Sequence, residues 1–266
     1  TPRAHLKYNP NEYVNFRLSA GKGYRTNHVL AENNYLLSSS RKVEIAKNLD
    51  MEEAWNYGAS VSTYIPIFGK TLNVNAEYYY TDFLKQDSNP HEVAFYNLDG
   101  RSYSHVFQVE ASYPFFKGFT LTGAYRLTDA KTTYKGERME KPLTSKYKGL
   151  LTASYQTLLG IWQFDATLQL NGGGRMPTPY ELGDGQLSWE RRYGSFEQLS
   201  LQVTRYFRRW SIYLGGENLT NFKQKNPIID AANPWGNNFD STMIWGPVHG
   251  AKGYIGIRFN LARNSE

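Results

Sequence analysis

From residue 250 to residue 261 the chain reads GAKGYIGIRFNL, and the two sides of that run have opposite characters. Ala251, Gly253, Ile255, Ile257, Phe259 and Leu261 fall on one side, Lys252, Tyr254, Gly256, Arg258 and Asn260 on the other. Only an extended strand separates residues this way, because its side chains alternate with period two. The pattern recurs. In TLNVNAEYYYT (71–81), Leu72, Val74, Ala76, Tyr78 and Tyr80 oppose Thr71, Asn73, Asn75, Glu77 and Thr81. IWQFDATLQL (161–170), FTLTGAYRL (119–127) and VNFRLSA (14–20) repeat it, with Leu168 and Leu170, Leu121, and Phe16 on their apolar sides. Alternation over eight or more residues exceeds the roughly five or six of an ordinary globular strand. It matches the roughly nine to eleven that a tilted strand needs to cross a bilayer.

The connections alternate between short and long. Tight turns are expected at 9–12, 66–70, 114–118, 158–160 and 207–209, and long polar segments at about 23–50, 86–100, 132–146, 172–194 and 219–248. Several long structureless loops would be anomalous in a compact soluble domain, whereas short turns on one rim and long loops on the other are usual for a membrane barrel. This spacing predicts about eleven strands, near 1–8, 12–22, 51–65, 71–85, 101–113, 119–131, 146–158, 161–171, 196–207, 209–218 and 249–261. The fold class expected is all-β, a transmembrane antiparallel β-barrel. An odd count with ends on opposite rims does not close a single-chain barrel, so 1–266 is expected to be the C-terminal portion of a larger one.

Composition agrees with strands. Tyr 21, Phe 14 and Trp 6 give an aromatic share of 15%, and aromatics favour pleated surfaces. The mean hydropathy of −0.59 is no obstacle, because lipid-facing and lumen-facing residues average out along a barrel strand. Cysteine is absent, which excludes disulfides and thiolate metal sites, and the opening TPRAHLKYNP lacks the pattern of a signal peptide. A net charge of +6 suits anionic lipid or lipopolysaccharide. No basic run with interleaved aromatics points to nucleic acid.

Motifs that carry chemistry are thin. GGGRMPTPYELGDG (172–185) lacks the Gly-Lys-Ser/Thr ending and following helix of a phosphate loop, and reads as a flexible loop. Glu181, Asp184 and Glu190 do not have EF-hand spacing. The histidines at 5, 28, 91, 105 and 249 form no pair at metal-ligand spacing, and no Gly-x-Ser-x-Gly elbow is present. No metal site, cofactor or enzymatic activity is expected. Gly21 and Gly23 read as residues that let a strand turn into a loop.

FRLSAGKGYRTNHVLAENNYLL (16–37) followed by NLDMEEAWNYGAS (48–60) resembles a stretch of TonB-dependent outer-membrane receptors. GGENLTNFKQKNP (215–227) and TMIWGPVHGAKGYIGIRFNL (242–261) resemble that family's last strands and closing loop, as found in Bacteroidetes members. The resemblance implies strands twelve to twenty-two of a 22-stranded barrel, with an N-terminal barrel half and a plug domain in the same protein or a separate chain. It also implies TonB acting through the plug, a surface lipoprotein as a further partner, and import of a siderophore-iron complex, haem, cobalamin or a similar chelate. Haem receptors of the family carry Phe/Tyr-Arg-Ala-Pro and Asn-Pro-x-Leu elements. This chain has YRTN at 24–27 and NLDM at 48–51 instead, which puts haem ligation in doubt. FNL at 259–261 is left as the assembly signal, ahead of the tail 262–266.

Two sets of residues follow. Arg17, Glu77, Glu110, Arg126, Asp165, Glu217, Lys252 and Arg258 fall on polar sides and are expected to face the lumen or a plug, since a charge facing lipid costs about 2–4 kcal/mol at mid-bilayer. Tyr24, Arg25, Tyr180, Trp189, Arg191, Arg192 and Trp235 fall in long loops and are expected to contact an anionic, ring-bearing ligand. For the tryptophans near strand ends, Trp245 included, an interfacial belt is an equal alternative. A passive porin or structural barrel, and a soluble β-sandwich with lectin-like or hydrolytic loops, remain as rival classes.

Overall fold

The computed structural model describes residues 1–26, 28–83, 92–95, 97, 100–134, 136–182 and 185–260. His91, Asp184, Leu261 and the tail 262–266 lie outside the described residues. The chain forms β1 (Arg3–Asn11), β2 (Val14–Arg25), a short helix α1 (Val29–Glu32), a 3-10 turn (Asn34–Ser38), β3 (Lys42–Ile45), β4 (Glu52–Ile67), β5 (Lys70–Phe83) and β6 (Glu92–Phe95). There follow β7 (Ser102–Phe116), β8 (Phe119–Tyr134), β9 (Glu137–Glu140), β10 (Tyr147–Gln156), β11 (Trp162–Asn171) and β12 (Gly174–Arg175). β13 (Arg192–Tyr193), β14 (Phe196–Tyr206), β15 (Trp210–Glu217) and β16 (Lys252–Phe259) complete it.

One antiparallel sheet runs β1-β2-β4-β5-β7-β8-β10-β11-β14-β15-β16, with β9 as a twelfth strand on the end of β8. Each of the eleven strands expected from sequence is on that path. Their tight turns have the residues such turns need. Phe68 and Gly69 both have positive φ, 48° and 73°, as the two central residues of a type I′ hairpin require. Gly118, at φ 86°, admits no side chain, since a Cβ would lie 2.1 Å from the Gln156 carbonyl oxygen. Gly21 and Gly23 do not turn the chain: β2 continues through both to Arg25 and pairs with β4 along its length. Among the described residues the sheet does not close on itself, and β1 and β16 each pair with one neighbour.

Cross-strand partners share a face, so the register sorts side chains across the whole sheet. Val74, Ala111, Gly123, Leu151, Leu168 and Leu199 are successive partners on one face. Leu121, Leu170, Ile255, Ile257 and Phe259 share it. Ile255, Ile257 and Phe259 are 74%, 71% and 60% exposed. Apolar exposure over a whole sheet face far exceeds the few hundred Å² a soluble monomer leaves uncovered, and it is the surface of a bilayer-spanning protein. Rings bound this band. Phe116, Phe119, Tyr155, Phe164 and Trp162 form a chain with centroids 4.9–6.4 Å apart at the turn end. Trp55, Tyr57, Tyr80, Tyr103 and His105 form another at the loop end, 5.0–6.5 Å apart. Two such girdles mark the two interfaces of a membrane barrel.

Arg17, Glu77, Glu110, Arg126, Asp165, Glu217, Lys252 and Arg258 all occupy the opposite face. Hydrogen bonds knit that face. Ser62 donates to Asn75, which donates to Glu77, at 2.8 and 3.0 Å. Ser154 and Gln163 donate to Asp165 at 2.6 and 3.0 Å, and Tyr206 donates to Gln163 at 2.7 Å.

Candidate ligand-binding site

The long connections expected as polar loops are instead folded against one another above the polar face. β3 and β6 pair in parallel, and Leu36, Val93 and Phe95 form a small core with Val29, Val43 and Leu49. A second core holds Met176, Tyr180, Trp189, Tyr193, Ile229 and Met243, flanked by Leu182 and Trp245. The glycines at 172–174 are not a flexible hinge. A Cβ on Gly172 would sit 2.7 Å from the Tyr147 ring and one on Gly174 2.4 Å from the Thr144 carbonyl oxygen, so their absence lets this segment pack against 144–147.

The two halves of the loop assembly are joined by a buried ion pair. Asp240 is 0% exposed. Its Oδ2 lies 3.0 Å from Nε of Arg41, whose side chain is itself 10% exposed. Oδ1 accepts from the Thr242 backbone N–H and hydroxyl at 2.8 and 2.6 Å, and Arg41 also donates to Thr242. Backbone bonds flank the pair: Ser40 N–H donates to the Phe239 carbonyl at 2.9 Å and Ser241 Oγ to the Ser38 carbonyl at 2.8 Å.

Below this latch is a cavity of about 780 Å³. Its floor is polar-face positions at the strand ends, Arg25, Glu52, Ser102, Ser104, Thr128 and Thr132. Its walls come from the loops, with Tyr35, Leu36, Phe95, Lys141 and Met243 among them. Arg25 is held in place by Glu52 at 2.9 Å and Glu32 at 2.8 Å. Ser102, a residue 4% exposed, has no hydrogen-bond partner for its Oγ among the described residues.

Of the seven residues expected to contact a ligand, the structure brings Tyr24 and Arg25 to the cavity. Tyr180 and Trp189 are 7% and 9% exposed. They stack edge to face at 5.4 Å, with Tyr180 OH donating to Asn238 O and Trp189 Nε1 to Pro177 O. Their surface is spent on the loop core, and burial raises the Tyr180 phenol pKa. Trp245, weighed as a belt residue, stacks on Tyr193 at 5.1 Å inside the loops. Trp235 is 96% exposed, and Arg191 is exposed beside Arg192, which pairs with Glu140 at 3.0 Å. Sequence reasoning missed Arg41, Asp240, Ser102 and Lys141. A lone Arg and Asp 199 positions apart give no local signal of pairing.

Glu140 also joins two loops, pairing through one carboxylate oxygen with Lys146 at 2.6 Å and through the other with Arg192 at 3.0 Å. The Lys146 hydrogen bond, with Arg192, holds its pKa below the ordinary 4.5 against the opposing effect of burial. A depressed carboxylate stabilises fully above its unfolded value and loses that contribution as pH falls through the folded value. Segments 137–146 and 192–193 are therefore expected to gain hydrogen exchange together as pH falls below the ordinary glutamate value, and Glu140→Gln to show that faster exchange already at pH 7. Exchange at 192–193 that is unaffected by either change would exclude the bridge as a loop tie.

Among the described residues no group of three or more His, Cys, Asp or Glu could hold a metal ion. The family model for the TonB dependent receptor-like β-barrel matches residues 1–219. No curated protein matches the chain. Among solved structures, the copper transporter OprC superposes with a TM-score of 0.71 at 13% identity, over 97% of this chain and 38% of that one. The ferric citrate transporter FecA in its unliganded form gives 0.65 at 17%, over 96% and 37%. The FrpB iron transporter from Neisseria meningitidis (F3-3 variant) gives 0.63 at 13%, over 97% and 38%. At these identities the likeness is one of fold, and this chain spans under two fifths of each structure's length. With its antiparallel sheet, its lipid-facing girdles and a family match over residues 1–219, the chain belongs to the TonB-dependent receptor β-barrel family.

Proposed function

We propose that this chain supplies strands twelve to twenty-two of a 22-stranded outer-membrane receptor that imports a scarce nutrient as an anionic metal chelate. The observation that carries the reading is the loop-roofed cavity of about 780 Å³ above the polar face, a volume within the roughly 300–1,000 Å³ usual for small-ligand sites. The copper, ferric citrate and iron named for the similar transporters support a metal-bearing cargo. In this reading the apolar face meets lipid and lipopolysaccharide, and the polar face lines the lumen, where a plug domain sits and TonB acts through it. Trp235, standing clear of its loop, is offered to the ligand or a surface lipoprotein. No covalent step is needed: the loops capture the ligand and work on the plug disrupts the site.

The test is equilibrium binding of ferric citrate, a ferric tris-catecholate and haem to the whole receptor. Arg191→Ala with Arg192→Ala is expected to lower affinity for one of these by about tenfold or more, near 1.4 kcal/mol, and salt to weaken what remains. Glu140→Gln controls for the lost bridge. Affinity unchanged in the double variant, and unchanged again in Arg25→Ala, would place the ligand in the rest of the receptor.

A further inference from the structure

On the lipid-facing side of the sheet, at the loop-end girdle, lies a groove of about 520 Å³ lined by Tyr78, Tyr80, Arg101, Tyr103, His105 and Arg138. Register explains its shape. Tyr78 is opposite Phe107, Tyr80 opposite His105 and Asp82 opposite Tyr103, so three successive rows of that side climb from the apolar band to a rim of charge. The floor is a set of rings that hold one another. Tyr78 OH and His105 Nδ1 are 2.6 Å apart, and the Tyr80 and Tyr103 rings lie 4.8 and 5.0 Å from the His105 ring. Two guanidinium groups stand at the upper end. Arg101 is fixed by Asp82, to which Nε and Nη2 donate at 3.0 and 2.9 Å, and by Tyr80 OH at 2.9 Å. Its carbonyl accepts from Thr133 Oγ1 at 2.7 Å. Arg138 comes from β9, opposite Thr133 and so on the same side of the sheet, with its guanidinium 5.5 Å from the centre of the Tyr103 ring. Among the described residues Arg138 makes no ion pair or hydrogen bond, and Nη1 of Arg101 has no acceptor. The carboxylates nearby are already matched, Asp82 by Arg101 and Asp129 by Lys131 at 3.8 Å, while Glu137 projects with Tyr134 from the other side of the sheet. Arg138 is the surplus cation.

We infer that this groove binds the phosphorylated sugar headgroup of a membrane glycolipid. Its position selects the occupant. The groove opens on the same side as the exposed apolar band, at the height where the aromatic girdle marks the interface, so a lipid headgroup already lies there and a soluble ligand would have to displace it. Its chemistry selects the headgroup. A guanidinium fork matches phosphate oxygens two at a time, and Arg138 with the spare Nη1 of Arg101 sets such donors at one end of the groove. A choline headgroup would bring a cation to them instead. The Tyr78, Tyr80, Tyr103 and His105 rings below offer apolar faces to a sugar ring and to the first methylenes of its acyl chains. The volume, far beyond the ~30 Å³ share of one water, seats a sugar phosphate and leaves a bare ion unheld. The inference rests on the proposed reading only in taking the loop rim as the outer leaflet, where the glycolipid is lipopolysaccharide.

The test uses the whole receptor in non-ionic detergent and reads bound lipid by native mass spectrometry. The probes are diphosphoryl lipid A, phosphatidylglycerol and phosphatidylcholine, of which lipid A is expected to be retained best and phosphatidylcholine least. Arg138→Gln breaks no ion pair or hydrogen bond among the described residues and is expected to lower lipid A occupancy several-fold. Adding Arg101→Gln should bring the loss to about tenfold or more, while Arg209→Gln, on the turn rim, stays at the parental level and heat-modifiable gel mobility confirms assembly. Phosphatidylglycerol retained as well as lipid A, lipid A displaced by an equal concentration of inorganic phosphate, or parental occupancy in the double variant would each overturn the inference. Lipid A retention that depends on Arg138 in a receptor that binds no chelate would remove the import reading and leave the glycolipid site standing; chelate binding with no arginine-dependent lipid would do the reverse.

Discussion

Arg41→Ala is expected to release the loop assembly from the inside. The substitution leaves Asp240, which is 0% exposed, as a buried charge with only the Thr242 groups to solvate it. Breaking a buried pair from one side costs about 3–5 kcal/mol, more than a surface bridge by several-fold. The loss falls on the contacts the pair holds together, the Ser39 and Ile229 bridges to Asp240 and the Ser40 bond to Phe239. Amide exchange at 39–42 and 229–242 should accelerate by two to three orders of magnitude, about what 3–4 kcal/mol gives, while β10 and β11 keep their protection. The cavity loses Leu36, Thr242 and Met243 as walls, so ligand affinity should fall with it. Arg41→Met with Asp240→Leu should recover much of the protection, because an apolar pair can replace a buried ionic one at little cost. Unaltered exchange in Arg41→Ala would show that the cores around Leu36 and Met243 suffice to hold the loops.

The barrel wall was legible in the sequence because strand pairing with two distinct environments writes period two into every strand. Val74 opposite Glu77, or Leu168 beside Gln169, records a face without any knowledge of partners. Lipid tolerates no error in that alternation, so the signal stays clean over ten residues at a time. The loops obey no such constraint. Tyr180 and Trp189 look like exposed recognition residues in a Gly- and Pro-rich segment, yet they are the core of a small domain whose other half, Ile229 and Met243, lies about fifty residues on. Arg41, between β2 and β3, and Asp240, between β15 and β16, belong to connections at opposite ends of the strand order, so no local pattern foretells that they meet. Strand register is the intermediate case: Arg17 and Arg126 were assignable to the polar face from alternation, but that Lys7 lies opposite Arg17 and Lys148 opposite Arg126 depends on register, which periodicity leaves free by any even number of residues.

Leu168→Arg should prevent assembly of the receptor where Gln169→Arg does not. Leu168 lies between Leu151 and Leu199 in its cross-strand row, four residues along β11 from the turn-end girdle residue Phe164, with Ala166 between them on the same face. The loop-end rings of Tyr125 and Tyr147 lie beyond it on the other side, which puts the position deep in the apolar band. An arginine there meets hydrocarbon and costs about 2–4 kcal/mol. Snorkelling offers limited relief: Arg205 reaches over Trp162 at 5.1 Å and Phe207 at 5.0 Å from a position already at the girdle, and Leu168 is further in. Gln169 is the neighbouring residue with its side chain on the polar face, opposite Leu150 and Gln198, where a guanidinium keeps its water. In cells, the heat-modifiable form of the whole receptor should drop about tenfold or more for Leu168→Arg, while Gln169→Arg stays within a factor of about two, as the difference of 2–4 kcal/mol requires. The reverse order would mean that the charged face meets lipid, and the assignment of Arg17, Glu77, Arg126, Asp165 and Arg258 to the lumen would fall with it.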